Sequence, residues 1–392
     1  MINVLCEARD LRAANRDQAR TGQPNTYWKN FARGLKEGHL SLAEFSIREL
    51  FEHFVPDGRE IVDSWNPRHG GGGVMLSEAG DAVKTGDFSN ITGQLLVNQT
   101  LEAFQDPGFL FPLLMNDVQT SLNGEKIPGI TRIGDEAQAV GEAQQYPLAG
   151  IGEEFVETPT TTKRGMIVPL TKEAVFFDLT NLLVTRASEV GYWLGQNKEK
   201  RCLNVALGVT NNYKRNGTAD NSYANTHNTG DFDNLGVEPL VDWTDIEEAE
   251  LLFDAITDPN TGEPISIIPN TLVVPTALKH TANRIKSATE IRFGIHGDTS
   301  ASSVATSSQP TGGQYTIVTG PMVSVTVDAT SWFIGDFKRA FVYMQNWPIT
   351  AVQAPTNAEA EFQQDIVMQH KVSERGVAAV REPRYVAKMT AS

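Results

Sequence analysis

Two stretches near the C-terminal end of the chain decide its fold. Residues 331–344 read SWFIGDFKRAFVYM, and residues 362–386 read FQQDIVMQHKVSERGVAAVREPRYV. The first predicts a strand, a turn at Gly335–Asp336 and a second strand. The second predicts a strand, a turn at Gly376 and a final strand that ends before Pro383. The aromatic residues of the first stretch are expected to fill the core of a sheet.

Composition places the chain among globular proteins without a membrane span. Its 392 residues are 40% hydrophobic, which is enough for a core and indicates two or three structural units. The longest apolar run is broken by Pro112, and the N-terminal apolar stretch is too short for a secretory signal. Cys6 and Cys202 form no disulfide framework, so both are predicted to be reduced thiols in a protein made in the cytoplasm.

The chain is strongly acidic. It carries 48 acidic and 33 basic residues, for a net charge of −15. Binding to nucleic acid by charge requires clustered Lys and Arg that neutralise phosphates. The overall charge therefore argues against a nucleic-acid-binding protein and predicts repulsion of DNA.

The N-terminal part is predicted to be a separable helical extension over residues 1–85. Ser41-Leu-Ala-Glu44 is a capping-box pattern that opens a helix, and Gly70–Gly73 forms a flexible joint. Two interpretations stay open: a segment that acts during assembly, and a small appended helical bundle. Residues 86–116 contain a predicted helix from Ile91 to Phe104.

An acidic segment over residues 134–157 is the least typical part of the chain. It contains no Lys or Arg, and its acidic residues are Asp135, Glu136, Glu142, Glu153, Glu154 and Glu157. A long polar excursion is uncommon inside a compact domain, so it is predicted to rest as an arm on a neighbouring molecule. A hairpin turned at Asn123–Gly124 precedes it, and a strand over 157–169 follows it.

The remaining elements alternate between helices and strands. A long helix is predicted over 180–208, capped by Thr180, and a surface loop over 209–242. A capping box at Thr244–Glu247 opens an acidic helix. The other predicted elements are a strand at 271–274, a helix at 277–287, a loop at 297–314, and strands at 315–318 and 322–327.

This order of elements resembles the major capsid protein of tailed phages, the Hong Kong 97-type fold, over roughly residues 86–392. The resemblance implies an α+β chain with an N-terminal arm at 86–116 and an extended loop at 134–169. It implies a peripheral domain from 117–210, including a spine helix at 180–208, with a return over 346–392. An axial domain would occupy 211–345. Residues 1–85 lie outside the resemblance; some family members carry there a scaffolding segment that a protease removes.

The resemblance implies a structural protein, not an enzyme, whose principal partner is itself, in hexamers and pentamers of an icosahedral shell. It also implies portal and scaffolding or protease proteins as partners during assembly, and enclosed DNA that is bound without sequence specificity. The protein would be made in the bacterial host cytoplasm and reside in the virion, with no membrane association. Its acidity suits a wall that must not hold DNA, although acidity also keeps any soluble protein soluble. The alternatives are an encapsulin-type shell and, from another class, an acidic cytoplasmic enzyme.

An acidic arm needs a basic surface on the neighbour. The C-terminal return supplies a set of five bases: Lys371, Arg375, Arg381, Arg384 and Lys388. We expect the arm of one subunit to lie across this stretch of the next, the alternative being that these bases form an ordinary solvated strand face. Some family members also join subunits by a Lys–Asn isopeptide bond. Lys163 and Asn346 are the candidates here, and their positions do not clearly match that motif.

No catalytic, cofactor or metal site is predicted. The sequence lacks a phosphate-binding Gly-x-x-x-x-Gly-Lys loop, a His-Glu-x-x-His pair and a Gly-x-Ser-x-Gly elbow. Its seven histidines are scattered without the spacing of metal ligands. Function is therefore expected to come from surfaces that meet other molecules.

Overall fold

The computed structural model describes residues 99–128, 139–145, 155–171, 182–210, 213–227, 232–258, 262–288, 290–294, 304–308, 314–354 and 363–390. Over these ranges the chain is α+β, as predicted. The extension over 1–85, the glycine joint and most of the acidic segment lie outside the described residues. Contacts divide the chain into two compact units. Unit 1 comprises the described residues of 1–106, 164–196 and 349–374, and unit 2 comprises those of 107–163, 197–348 and 375 onward.

Helices with described bounds are numbered in chain order. They are α1 Phe111–Leu114, α2 Leu182–Ala206, α3 Trp243–Asp254, α4 Lys279–Ser287, α5 Pro321–Thr326 and α6 Phe337–Ala340, with 3₁₀ turns at Thr276–Leu278 and Pro383–Tyr385. Residues 99–104 are also helical. Helix α2 confirms the predicted long helix and is about 37 Å long at 1.5 Å per residue. The predicted cap at Thr180 lies outside the described residues.

Strands are numbered in the same way. They are β1 Asn116–Gln119, β2 Lys126–Pro128, β3 Phe155–Glu157, β4 Thr162–Thr171, β5 Lys214–Arg215, β6 Thr218–Ala219, β7 Leu235–Gly236, β8 Thr271–Val273, β9 Glu290–Gly294, β10 Val304–Ser308, β11 Thr316–Val318, β12 Trp332–Gly335, β13 Phe341–Gln353, β14 Ile366–Val380 and β15 Val386–Met389. They form four sheets, with strand orders β1-β13-β14-β4, β10-β9, β11-β8-β12-β15-β7 and β2-β3-β5-β6.

In residues 331–344 the first strand ends at Gly335, as predicted, but the two strands do not form a hairpin. Strands β12 and β13 belong to different sheets, and the short helix α6 joins them. Gly335 has φ +149°, and a Cβ there would lie 2.2 Å from the carbonyl oxygen of Tyr385. The next residue, Asp336, donates its backbone N–H to that same oxygen at 2.8 Å. Glycine is therefore required at this position by the close approach of the 383–385 turn.

The turn predicted at Gly376 is wrong. Strand β14 runs without interruption through this residue and ends at Val380. A Cβ on Gly376 would lie 2.7 Å from ring atoms of Tyr343, whose side chain is fully buried. The missing side chain makes room for an aromatic ring and does not mark a reversal of the chain.

The five-stranded sheet and two helices form the α/β part of unit 2. Helices α3 and α4 both pack on the face that carries Leu272 and Val274, in a core that also contains Trp332. Val273 points to the opposite face, into a second core with Leu203 of α2. The final strand β15, expected in the peripheral return, lies inside this sheet between β12 and β7.

The predicted cap of α3 is displaced by two residues. Asp242, not Thr244, is the N-cap, and its carboxylate accepts the N–H of Thr244 at 2.8 Å. Asp245 completes the capping box by accepting the N–H of Asp242 at 2.8 Å. The helix itself is confirmed.

Two predictions near β11 are wrong: the strand at 322–327, after β11, and the loop at 297–314, before it. Residues 321–326 form helix α5 instead of a strand, because Pro321 occupies the first helical position and a single valine, Val323, turns into the core. The loop predicted over 297–314 contains β10, which pairs antiparallel with β9.

The chain bends at Asn123–Gly124, but the predicted hairpin does not form. Gly124 has φ +93°, whereas Asn123 lacks the positive φ that a two-residue Asn-Gly hairpin turn also requires. Strand β1 instead pairs in parallel with β13, and β2 pairs antiparallel with β3. Distant partners therefore override the local hairpin signal.

Unit 1 is held by the first half of α2 and the helical residues 99–104. The hydroxyl of Thr100 donates to the carbonyl oxygen of Ala187 at 3.2 Å. A Cβ on Gly191 would lie 2.2 Å from the carbonyl oxygen of Thr100, so glycine permits this close contact. Phe104 and Leu194 pack with other apolar side chains in the core of this unit.

Candidate functional site

The acidic residues of the predicted arm lie partly within the described residues. Glu142 is exposed in the segment 139–145. Glu157 lies in β3 and pairs with Lys126 of β2 at 3.7 Å, while the Lys126 ammonium lies 4.0 Å from the centre of the Phe155 ring. Asp135, Glu136, Glu153 and Glu154 lie outside the described residues. Glu157 therefore already has a basic neighbour in its own subunit.

The five predicted bases occupy different environments. Lys371 and Arg381 are exposed, and Lys388 is half-buried with its ammonium 5.7 Å from the centre of the Phe333 ring. Arg375 donates to the hydroxyl of Thr161 at 2.9 Å and lies over the ring of Trp347. The exposed bases are the ones available to another molecule.

The fifth base, Arg384, corrects the sequence prediction. Its side chain is 1% exposed, and its guanidinium lies 3.8 Å from a carboxylate oxygen of Glu382. The same oxygen lies 3.6 Å from the guanidinium of Arg215, whose side chain is also buried. Arg384 therefore stabilises the interior of its own subunit and offers no charge to a neighbour.

A tyrosine beside this charge cluster has a raised pKa, mainly because it is buried. Burial, followed by the negative charge of Glu382, raises the pKa of Tyr213 to about 12, against a smaller opposing effect of Arg215. The phenol is therefore neutral at any physiological pH. The cluster ties β5 to the 383–385 turn, which are far apart in the sequence.

Next to it lies a buried polar network that no sequence pattern predicts. Asn234 donates through its amide nitrogen to the carbonyl oxygens of Ser222, Pro383 and Val386 at 2.9–3.1 Å. This fixes its amide oxygen toward Nε2 of His227, at 2.9 Å, while Nδ1 of His227 lies 3.2 Å from Asp220. The predicted surface loop 209–242 is thus in part an interior element, and its Asn-, Thr- and Gly-rich composition gave no signal of this.

Asn346, a candidate for covalent joining, has a structural role. Its amide nitrogen donates to the carbonyl oxygens of Thr120 and Leu122 at 3.0 and 2.8 Å. These bonds hold the turn between β1 and β2 against β13. Lys163, the other candidate, is exposed on β4.

Lys198 of α2 is buried in an aromatic box. Its ammonium lies 4.5 Å from the centre of the Phe111 ring and 4.1 Å from that of Tyr343, and 3.2 Å from a carboxylate oxygen of Asp117. Cation–π contact and the ion pair together offset the cost of burying the charge. These contacts hold α1, β1 and β13 against α2.

Within the ranges given above, His, Cys, Asp and Glu side chains form no group of three or more suited to a metal ion. Of the helices that the structure describes, none combines the length and the apolar character needed to cross a bilayer.

A family model described as phage capsid protein matches residues 154–389, more than half of the chain. No curated protein matches the chain.

Several solved structures are similar to the chain. The capsid of cyanophage P-SCSP1u is 11% identical with a TM-score of 0.47, over 73% of this chain and 88% of that one. The structure of Mycobacterium phage Bobi is 11% identical with a TM-score of 0.42, over 72% and 90%. The virus-like particle from Pyrococcus furiosus is 12% identical with a TM-score of 0.39, over 76% and 99%.

Proposed function

The chain belongs to the family of phage capsid proteins, and we propose that it is the major subunit of a tailed-phage head. In this proposal it assembles into hexamers and pentamers of an icosahedral shell that encloses double-stranded DNA. The family match over residues 154–389 carries the proposal. The order of the described elements supports it, because an extended segment, a long helix, an α/β unit and a strand-rich return follow one another as in the Hong Kong 97-type layout.

Features of the isolated subunit also favour assembly. Strands β9 and β10 pair only with each other among the described residues. A lone two-stranded ribbon is marginally stable in water, so contact with another molecule would stabilise it. The residues of segment 139–145, Glu142 among them, are exposed or nearly so, which suits a segment that lies on a neighbour.

The acidic segment and the exposed bases remain a proposed contact between subunits. With Arg384 buried and Arg375 engaged within its own subunit, the exposed partners are Lys371 and Arg381. Each exposed pair contributes about 0–1 kcal/mol, but a shell repeats the pair in every subunit. Reversing Glu142, Glu153 and Glu154 to lysine is expected to block shells or change their size. Normal shells from that variant would exclude this pairing.

The proposal extends to the setting of assembly. The subunit would be made in the cytoplasm of a bacterial host and reach the virion through contacts with portal and scaffolding or protease proteins. The net charge of −15 favours a wall that encloses DNA without binding its sequence.

The decisive experiment is expression of the full chain followed by light scattering and negative-stain microscopy. Closed particles of uniform diameter are the expected result. A discrete monomer or dimer at all concentrations would refute the proposal. Nuclease-protected DNA in particles from the native source is expected, whereas particles that contain a protein cargo and no DNA would indicate an encapsulin-type shell.

A further inference from the structure

Two neighbouring helices of the α/β part carry opposite charges. Helix α3 contains five acidic residues and no Lys or Arg, whereas α4 contains Lys279, Arg284 and Lys286 and no Asp or Glu. Such separation of charge by helix is unusual, since exposed helices commonly mix both signs. The two surfaces are called the acidic face and the basic face below.

Both charged faces point away from the protein interior. The buried sides of the helices, which include Phe253 of α3 and Ile285 of α4, share one core over the same face of the sheet. On the outer side, Glu247 and Asp254 of α3 are exposed, as are Lys279 and Lys286 of α4. Each helix therefore presents a single sign of charge to its surroundings.

The two faces match in spacing. Glu247 and Asp254 are seven residues apart on α3, and Lys279 and Lys286 are seven residues apart on α4. Seven residues make two helical turns, so each pair lies on one stripe about 10 Å long. Two helices packed side by side could therefore bring both acidic residues to both basic residues.

Three carboxylates of the acidic face, those of Glu247, Glu250 and Asp254, lie close enough to repel one another. Burial, and then the negative charges of Asp254 and Glu247, raise the pKa of Glu250 above its usual value. The Glu250 carboxylate accepts hydrogen bonds from two neutral donors, the Tyr315 hydroxyl and the Gln314 amide. A cation from another molecule would relieve the repulsion among these carboxylates.

An apolar side chain lies in the middle of the acidic face. Leu251 is 58% exposed, between Glu247 and Asp254 on the same stripe. A leucine that is surrounded by charges and would be covered on contact follows the usual composition of an interface, with an apolar centre and a polar rim. The charged rim fits a protein partner that offers bases at matching positions.

We propose that the acidic face of one copy packs against the basic face of the next copy. This inference rests on the proposed function, since it names the contact by which subunits of a ring meet. The two faces differ, so the contact is heterologous, and repetition around an axis closes a ring when the rotation per subunit fits. Opposite charges would also set the orientation of encounter and disfavour pairing of two acidic faces.

Charge reversal tests the contact. E247K/D254K makes both faces basic, and K279E/K286E makes both acidic. Each variant is expected to raise the subunit concentration for half-maximal assembly by about a hundredfold, because like charges then oppose each other. A chain with all four reversals restores opposite charges and is expected to assemble at a concentration close to that of the parent.

Control variants separate this effect from net charge and from misfolding. K214E/K338E makes the same change of net charge as K279E/K286E at two other exposed lysines and is expected to assemble normally. Circular dichroism and melting temperature of each unassembled variant report folding. The milder pair E247Q/D254N keeps the shape of the acidic face and is expected to weaken assembly less than the reversal does.

A mixture of the two reversed variants tests the ring arrangement itself. Acidic and basic copies can alternate around a six-membered ring but not around a five-membered one. Hexamers without pentamers are expected from an equimolar mixture, and closed shells with normal pentamers would overturn the ring contact.

The outcomes distinguish this inference from the proposed function. If the parent chain forms no particles, the proposed function fails. If the parent forms particles and both reversals assemble equally well, the contact between the faces is refuted while the function stands. The contact is also refuted if the chain with all four reversals does not regain assembly. A K279E/K286E variant that assembles normally but no longer retains DNA would refute it as well, and would indicate that the basic face binds DNA.

Discussion

Replacement of Glu382 by glutamine should destabilise unit 2 more than any change of one surface charge. The carboxylate lies between two buried guanidiniums, 3.6 Å from that of Arg215 and 3.8 Å from that of Arg384. At an effective dielectric constant of about 20, each contact represents an attraction of about 4–5 kcal/mol, which desolvation largely offsets. Glu382→Gln keeps the shape of the side chain but leaves both cations buried without this charge.

The expected cost is about 3–5 kcal/mol of the free energy of unfolding, the usual result of removing one partner from a buried ion pair. In equilibrium urea denaturation this lowers the midpoint by about 1–2 M. Tryptophan fluorescence is a suitable probe because Trp332 is fully buried in the same unit. Circular dichroism should give the same midpoint if the transition is two-state.

The matched control is Glu247→Gln, which removes the same charge from an exposed position. Its free energy of unfolding is expected to change by no more than about 0.5 kcal/mol. Equal midpoints for Glu382→Gln and the parent would show that the carboxylate does not neutralise the arginines, and the account of the cluster would then be wrong.

Three other changes have defined outcomes. Gly376→Ala should cost about 1–3 kcal/mol in urea denaturation, since its Cβ would meet the ring of Tyr343, whereas Gly141→Ala, next to a flexible side chain, should cost little. Lys198→Met should retain at least about 2 kcal/mol more stability than Lys198→Ala, because methionine still fills the aromatic box. Burial lowers the pKa of His370 below 6.5, so the unfolded chain takes up a proton there first. The melting temperature should therefore fall as the pH decreases below about 6.5, and His370→Gln should reduce that fall.

Periodicity was sufficient to find the long elements of the fold. Helix α2 and helix α3 repeat apolar residues at helical spacing over several turns, so their type follows from the sequence alone. Short elements were not predictable in this way. Residues 321–326 alternate like a strand, yet Pro321 and the burial of Val323 make them a helix.

Glycine was the other source of error. At Gly335 and Gly376 the sequence predicts a turn in both cases. Each glycine is needed because a group from a distant part of the chain lies against it, a carbonyl oxygen at Gly335 and an aromatic ring at Gly376. Only the tertiary structure shows that Gly376 faces a tyrosine ring within a continuous strand. A turn and a close approach cannot be distinguished from the glycine alone.

The candidate site was predictable in charge but not in burial. Lys371 and Arg381 are exposed as expected, while Arg384 is indistinguishable from them in sequence and lies in the interior. The partners of Asn234 follow it by about 150 residues, at Pro383 and Val386, so no local pattern announces them. The opposite charges of α3 and α4, in contrast, can be read directly from the sequence when each helix is counted by itself.

The position of β15 has a consequence for biosynthesis. Because this strand lies between β12 and β7, the sheet stays divided until residues 386–389 have left the ribosome. A polypeptide interrupted before that point would keep an open seam through the middle of its α/β part and would be exposed to proteases. Chains that lack residues 386–389 are therefore expected to be cut by added protease faster than the parent chain.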